Sequence, residues 1–212
     1  MTYKDILQTD YFFETYSKIE FLKRNYPVNH GFVHIWHVIK HAKNLAEIFK
    51  LSEKEKQLLL IACALHDIGY LNGRDEHAVN GAHAAKMFLQ GKLCEDEINI
   101  ICNAIACHGG KRLEDYYNNV SMCLILADKF DFDKTRYRED DNHVAIKMFM
   151  SIEKTELKQI DGGYNFEVYT TDISLFNNIN SDYYFVKFNQ ILNNLYKARK
   201  IKIEFKLKQI EI

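Results

Sequence analysis

ACALHDIGY, at residues 62–70, is the stretch that decides how this chain folds. An apolar run ends there in His66 and Asp67, and Gly69 follows at once. Adjacent helical residues point about 100° apart, so two neighbours bind one ion only where the helix ends or lies deep between others. An imidazole beside a carboxylate is a good ligand set for a divalent transition metal. The alternative interpretation is a capping Asp beside an incidental His.

Helical periodicity precedes and includes this stretch. Apolar residues at helical spacing predict a helix over residues 33–50. The sequence SEKE, starting at Ser52, is a capping box and predicts a second helix from Ser52 to about His66. His66 and Asp67 are therefore expected at the polar end of a buried helix.

Three further helices are expected in the first two-thirds of the chain. Asp75 is predicted to cap the third helix, which closes at Gly91. The fourth ends at Gly109 and Gly110, and the fifth runs from about Asn119 through Asp128. On the fourth helix one stripe carries Ile98, Ile101, Ile105 and His108. This part of the chain is predicted to be all-helical.

The pattern changes after about residue 150. Residues 156–161 and 164–170 flank a glycine pair and predict a β-hairpin. A helix is expected over residues 182–199, and the alternating tail KIKIEFKLKQIEI predicts a strand that pairs with the hairpin. The expected fold is mainly α: a helical bundle over residues 1–148 with a small α+β appendage over residues 149–212.

Composition restricts the class of protein. The chain has 212 residues, 47% of them hydrophobic, and a formal net charge of -1. A strong basic field, typical of general nucleic-acid binders, is missing. The longest apolar run, Leu58 to Leu65, is too short for a membrane span. The five cysteines form no CxxC pair and are expected to be free thiols, which favours the cytoplasm. A homo-oligomer remains open.

A second histidine is expected to face the core near His66. His34 opens the first predicted helix on the same stripe as its apolar residues. His37 and His41 lie on nearly the same stripe and are alternatives. His41 stands about 10 Å along the axis from His34, so both cannot bind one ion. His34 is the preferred ligand.

A carboxylate completes this set. Asp128 ends the apolar run of SMCLILADKF, where a buried carboxylate needs a partner such as a metal ion. Asp131 and Asp133 are alternatives, but they stand in a more polar segment that is expected to be solvated.

The pattern His34, His66, Asp67 and Asp128 resembles the signature of the HD-domain superfamily of metal-dependent phosphohydrolases. The resemblance covers roughly residues 28 to 138 and includes the ALHDIG and LADKFD contexts. It implies an HD-type helical bundle that binds one or two divalent ions, with Mn, Fe, Co, Ni, Zn or Mg as candidates. It does not specify the substrate.

Two more histidines match a dinuclear subset of that superfamily. His77, with Gly81 four residues later, resembles its His-x-x-x-Gly-Ala element, and His108 stands where the subset has another ligand. His83 is interpreted as structural. The paired His and Gly-Tyr-Pro of the cyclic-dinucleotide phosphodiesterases are missing, as is the Glu-Asp pair of the alarmone hydrolases. Both substrate classes are therefore disfavoured.

The expected activity is hydrolysis of a phosphate ester or phosphoanhydride, in a small nucleotide-like molecule, by a metal-activated water. Asp67 would bridge two ions. Lys129 is the first candidate for binding the phosphate and Arg74 the second, and the further candidates are Lys111, Arg112 and Arg138. Two alternatives use the same ligands: a di-iron oxygenase, and a metal-containing binding or sensing module without turnover.

Overall fold

Residues 1–22, 28–136, 144–177 and 179–211 are described by a computed structural model of the protein. Within these ranges the helices are α1 (Tyr3–Leu7), α2 (Asp10–Leu22), α3 (Phe32–Ile48), α4 (Glu53–Leu65), α5 (His77–Leu89), α6 (Glu95–Cys107), α7 (Asn119–Lys129), α8 (Val144–Met150) and α9 (Tyr183–Arg199). The strands are β1 (Ile152–Ile160), β2 (Gly163–Thr170) and β3 (Ile203–Gln209). The mainly α fold with a small C-terminal sheet is confirmed.

The capping box at Ser52 forms as predicted. The Ser52 side chain accepts a hydrogen bond from the backbone N–H of Glu55, and the Glu55 carboxylate accepts one from the backbone of Ser52. This pair satisfies backbone donors that the first helical turn leaves free. From Leu58 to Leu65 every residue of α4 is buried, so His66 follows directly from the core.

The start of α5 differs from the prediction, because Asp75 does not cap it. The residue before the helix is Glu76, which has a left-handed backbone (φ 58°) and makes no side-chain cap hydrogen bond. Nδ1 of His77 instead donates to the carbonyl of Arg74 at 2.7 Å. A capping residue needs an extended backbone directly before the helix, and the left-handed Glu76 occupies that position. The hydrogen bond from the His77 ring to Arg74 takes the place of a side-chain cap.

The predicted α6 and α7 form, and α7 lies at the centre of the helical body. Asn118 caps α7 through its side-chain oxygen, which accepts from the backbone of Val120 and Ser121. Every residue from Val120 to Asp128 is buried, because α7 packs against α3, α4 and α6. The apolar run of the sequence thus becomes a helix that carries Asp128 into the interior.

Two helices that the sequence analysis did not predict precede α3. α1 begins with a capping box formed by Thr2 and Asp5. In α2 the buried Tyr16 donates its hydroxyl hydrogen bond to the carbonyl of Ala64 at 3.0 Å. Ala64 is in the last turn of α4, where carbonyls lack partners within the helix. α2 therefore stabilises α4 immediately before His66.

The C-terminal sheet has the strand order β1-β2-β3. β1 and β2 form the predicted antiparallel hairpin, and Gly162 in its turn has a φ of 76°. β3 adds to β2 in parallel, with Tyr164 opposite Ile203, and α9 makes the connection between these two strands. The prediction that the alternating tail pairs with the hairpin is confirmed.

An aromatic cluster joins this sheet to the helical body. The Phe130 ring, one residue after α7, stacks on Phe166 of β2 at a centroid distance of 4.3 Å. Phe132, Phe188 and Phe205 surround this pair. The division into residues 1–148 and 149–212 stays a prediction. In the described ranges, none of the helices has the length and hydrophobicity needed to cross a membrane.

Candidate metal centre

Six side chains converge where five helices of the body begin or end. His34 lies in the first turn of α3, and His66 and Asp67 are the two residues after α4. His77 is the first residue of α5, His108 follows α6, and Asp128 lies in the last turn of α7. All except His77 are at most 3% exposed. Polar groups so deeply buried need compensating partners. The structure thus brings together all six residues that the sequence analysis proposed as ligands.

His34, His66 and Asp128 form the first ligand group. Nε2 of His34 lies 3.3 Å from Nε2 of His66 and 3.3 Å from Oδ1 of Asp128. Oδ2 of Asp67 joins them, at 3.4 Å from Nε2 of His34 and 3.2 Å from Nε2 of His66. Nitrogen and oxygen ligands of one tetrahedral ion stand roughly 3.4 Å apart. These spacings fit one shared ion.

His77, His108 and Asp67 form the second group. Nε2 of His77 lies 3.1 Å from Nε2 of His108. Oδ1 of Asp67 lies 3.8 Å from the first of these nitrogens and 3.7 Å from the second. Asp67 therefore presents one carboxylate oxygen to each group, which is the arrangement of a bridging ligand.

Nδ1 of each of these four imidazoles is hydrogen-bonded to an oxygen that only accepts. His34 donates to Oδ2 of Asp131 at 2.7 Å, and His66 donates to the carbonyl of Cys63 at 2.9 Å. His77 donates to the carbonyl of Arg74 and His108 to that of Ile105, both at 2.7 Å. In each neutral ring Nδ1 therefore carries the hydrogen, and Nε2 presents a lone pair. Such partners fix the tautomer that a metal-binding histidine needs.

The Nε2 atoms then face each other within each group, and two lone pairs at 3.1 or 3.3 Å repel unless a metal ion or a proton lies between them. Asp67 supplies a second observation. Its Oδ1 is buried and has no hydrogen-bond partner among the described residues. Buried polar atoms rarely stay unsatisfied. The donors present therefore fit divalent metal ions.

The HD domain family model matches residues 31–133, a range that includes all six of these residues. The chain carries an HD domain. It is also similar to the crystal structure of a predicted HD superfamily hydrolase from an uncultured Thermotogales bacterium. The two chains share 19% identity, the match covers 71% of this chain and 90% of that one, and the TM-score is 0.46. No curated protein matches the sequence.

Close packing of the turn after α4 against α5 shapes the centre of this HD domain. A Cβ at Gly69 would lie 2.0 Å from the carbonyl oxygen of His77 and 2.4 Å from the backbone nitrogen of Gly81. A Cβ at Gly81 would lie 3.1 Å from the carbonyl oxygen of His66. Two glycines therefore allow α5 to approach this turn closely, and this approach brings His77 to Asp67.

Neighbouring charges and hydrogen bonds keep the candidate ligand carboxylates Asp67 and Asp128 ionised. Burial raises the pKa of Asp67, but electrostatic interactions with His66 and His30 and hydrogen bonds from His30 and His34 outweigh it, and the pKa lies well below its usual range. Burial also raises the pKa of Asp128, and the Lys129 ammonium, 2.5 Å from Oδ2, brings it well below that range. Ionised carboxylates are the form that binds metal.

The pKa of His34 is raised in the metal-free domain. Burial lowers this pKa, and so does the charge of Arg136. Hydrogen bonds to the carboxylates of Asp128, Asp131 and Asp67 outweigh both and raise it to about 9. A metal ion would take the place of that proton at Nε2, so metal binding and protonation compete there.

Asp131 was expected to be solvated, and this expectation is wrong. It is 1% exposed. Its two carboxylate oxygens accept from Nδ1 of His34 at 2.7 Å and from Nδ1 of His37 at 2.9 Å. The buried Arg136, whose Nε lies 3.5 Å from Oδ2, balances its charge. Asp131 thus lies in a buried cluster with His34, His37 and Arg136, although its sequence segment is polar. Asp133 is the partly exposed member of this segment, and it accepts from Thr135.

His30 is a functional candidate that the sequence analysis missed. Its Nδ1 lies 2.8 Å from Oδ2 of Asp67, and its ring stacks on Tyr70 at 4.0 Å. With His34 and Asp67 it forms a third group of ligand-type atoms. His30 precedes α3, so helical periodicity gave no signal for it. The sequence HGFVH, with two histidines flanking a helix start, was the available clue.

Three more of the histidines that the structure describes stand apart from these ligand groups. His37 contacts Asp131 and has a side chain that is 25% exposed. His41 packs edge-on against Phe130 at 6.3 Å. His83 is exposed on α5.

The predicted phosphate-binding groups have different surroundings. Lys129 pairs with Asp128 and is 11% exposed. Arg74 and Lys111 are both exposed. Arg74 precedes α5 by three residues, and Lys111 follows the end of α6 by four. Arg112 is bound to Asp115 by two hydrogen bonds, at 3.2 and 3.0 Å. Arg138 lies outside the described residues.

Proposed function

We propose that this HD domain hydrolyses a phosphate ester or phosphoanhydride of a small, nucleotide-like molecule with two divalent ions. The observation that carries the proposal is the Asp67 carboxylate, whose two oxygens face two separate imidazole groups. Paired ions about 3.5–4 Å apart are a common arrangement for phosphoryl displacement. The HD-domain match supports a metal-dependent hydrolase in general terms.

Each ligand has a defined task in this proposal. His34, His66 and Asp128 would hold the first ion, His77 and His108 would hold the second, and Asp67 would contact both. Bound divalent ions lower the pKa of a water nucleophile and offset the charge that develops on phosphoryl oxygens. The carbonyls and Asp131 keep hydrogen on every Nδ1, so each Nε2 stays available as a ligand.

The side of His77 is the proposed entrance for the substrate. The His77 side chain is 23% exposed and that of His30 is 17%, whereas those of His34 and His66 are fully buried. Lys129, Arg74 and Lys111 would bind the phosphate. The net charge of -1 favours a small phosphorylated molecule over nucleic acid, and we expect no membrane partner. The metal identity, a homo-oligomer and a cytoplasmic location also stay predictions.

A metal analysis followed by hydrolysis assays tests the proposal. Protein loaded separately with Mn, Fe, Co, Ni, Zn or Mg is assayed against phosphomonoesters, phosphodiesters and nucleotides. We expect hydrolysis, measured as release of phosphate or of a phosphomonoester product, that Asp67→Ala and Asp128→Ala abolish. Lys40→Ala, an exposed substitution on α3, is the matched control and should leave the rate unchanged.

Two outcomes contradict the proposal in different ways. Metal-dependent oxygen consumption without phosphate release would favour the di-iron oxygenase. A tightly bound metal with neither activity would favour a binding or sensing module.

A further inference from the structure

α9 of the C-terminal appendage presents one face to the rim of the metal centre. The Tyr184 hydroxyl donates to the carbonyl of Lys129 at 3.2 Å, and Nδ2 of Asn194 donates to the carbonyl of Gly110 at 3.2 Å. Lys129 follows the ligand Asp128, and Gly110 stands two residues after the ligand His108. α9 therefore contacts the backbone beside one ligand of each group.

Lys187 lies on this same face. Residues three and four apart share a helix face, and the series Tyr184, Lys187, Ile191 and Asn194 has the spacing three, four, three. Ile191 contacts the chain at Gly110, where a Cβ would lie 3.3 Å from its Cγ1. Lys187 is thus placed between the contact with Lys129 and the contact with Gly110, and it is only partly exposed.

The charges around Lys187 are mostly positive. The Lys129 ammonium and then burial lower the pKa of Lys187 to about 8, and the charges of Lys111 and Arg74 act in the same direction. Asp128 opposes this shift, but it is already paired with Lys129. Lys187 itself makes no ion pair with any carboxylate that the structure describes. Cations gathered without enough carboxylates form a site for an anion.

We propose that Lys187 binds a phosphate group of the substrate together with Lys129, so that the C-terminal appendage supplies part of the binding site. This inference rests on the proposed function for the identity of the anion. It assigns a substrate-binding role to a residue outside the matched HD domain. Lys111 and Arg74, which are more exposed, line the same cationic region.

Titration of metal-loaded full-length protein with inorganic phosphate tests this site by calorimetry. Lys187→Met keeps the apolar stem and removes the charge, and it should weaken phosphate binding about tenfold. Lys187→Arg should restore most of the affinity. Lys197→Met, on an exposed part of the same helix, is the matched control and should bind phosphate as wild type does. Metal content should be equal in all four proteins.

Steady-state kinetics separate a binding role from a structural one. Loss of the Lys187 charge should raise KM for the phosphorylated substrate more than it lowers kcat, and Lys187→Arg should reverse the change. Unaltered phosphate affinity in Lys187→Met, or no phosphate binding by wild type, would overturn the inference. If phosphate binding depends on Lys187 but the protein hydrolyses no substrate, the proposed function is wrong. The anion site at Lys187 is then still supported.

Discussion

Oδ2 of Asp131 lies 2.7 Å from Nδ1 of His34, on the ring edge opposite Nε2, the candidate ligand nitrogen. This hydrogen bond orients the ring and fixes its tautomer, and it makes Nε2 a stronger donor to a metal. Burial raises the pKa of Asp131, but hydrogen bonds from His34 and His37, and then the charge of Arg136, bring it below its usual range and keep the carboxylate charged.

Asp131→Asn should therefore weaken the first metal site. Loss of such an outer partner lowers metal affinity roughly 10- to 100-fold, and competition with a metal-sensitive dye measures the change. Asp133→Asn, two residues away and 41% exposed, is the matched control. Equal metal affinity in Asp131→Asn and wild type would show that His34 needs no such partner.

The second ion should depend on His77 and His108. Wild type should bind about two equivalents of metal, because each group offers its own Nε2 lone pairs and Asp67 reaches both. His77→Ala and His108→Ala should each keep one strong site and lose most of the turnover. Metal titration of the apo-protein by calorimetry gives the stoichiometry. Saturation of wild type at one equivalent, with both variants fully active, would make these histidines structural.

Gly69→Ala should damage the centre without removing a ligand. The added Cβ would meet the carbonyl of His77 and the nitrogen of Gly81, so α5 must move away from the turn after α4. We expect a lower melting temperature and loss of the second ion. Gly109→Ala is the control, since a Cβ there meets nothing closer than 4.0 Å. Full binding of two ions by Gly69→Ala would show that the turn tolerates this shift.

The pKa of Lys187 predicts its reactivity toward acylating reagents. A lysine reacts as the neutral amine, which predominates only above its pKa. With a pKa of about 8, Lys187 should react at pH 8 far faster than an ordinary lysine with a pKa of about 10.4. Competitive labelling of metal-free protein, read by mass spectrometry, compares Lys187 with the exposed Lys197. Added phosphate should protect Lys187 in the metal-loaded protein.

The lowered pKa of Lys187 also makes the free energy of unfolding depend on pH. The folded pKa is lower than the unfolded one, so the unfolded chain binds more protons between about pH 8 and 10.4. The contribution of Lys187 to the free energy of unfolding therefore increases as the pH rises through this window. Equal labelling rates for Lys187 and Lys197 would contradict the shift.

Removal of residues 201–212 should destabilise the chain. It deletes β3 and leaves the pairing edge of β2 bare, and a two-stranded hairpin is marginal alone. We expect the melting temperature to fall by at least about 5 °C, measured by circular dichroism. Lys206→Gln, an exposed change within β3, is the control. An unchanged melting curve after the deletion would show that β3 contributes little.

The places of the six candidate ligands in the fold were predictable because each stands where an apolar helical pattern starts or ends. His66, His108 and Asp128 all follow or close buried runs, and the structure has them within or just beyond α4, α6 and α7. Local spacing also gave the hairpin and α9. These features depend on residues close together in the sequence.

The missed features depend on contacts between distant segments. Asp131 is buried because Arg136 and two histidines of α3 turn toward it, and no local pattern encodes that partnership. Lys187 was overlooked because its surroundings come from α7 and from the turns before α5 and after α6. α2 likewise gains its place through Tyr16, whose partner is Ala64.

The parallel pairing of β3 with β2 also bears on the order in which the protein matures. Every candidate ligand precedes Lys129, whereas β3 starts at Ile203. The candidate ligands therefore leave the ribosome first, and chains fold from the N-terminal side during synthesis. We expect a nascent chain to acquire its ions while the sheet is still two-stranded. Translation that stops before β3 would then release a metal-loaded body with an open strand edge, a form suited to aggregation and to proteolytic removal.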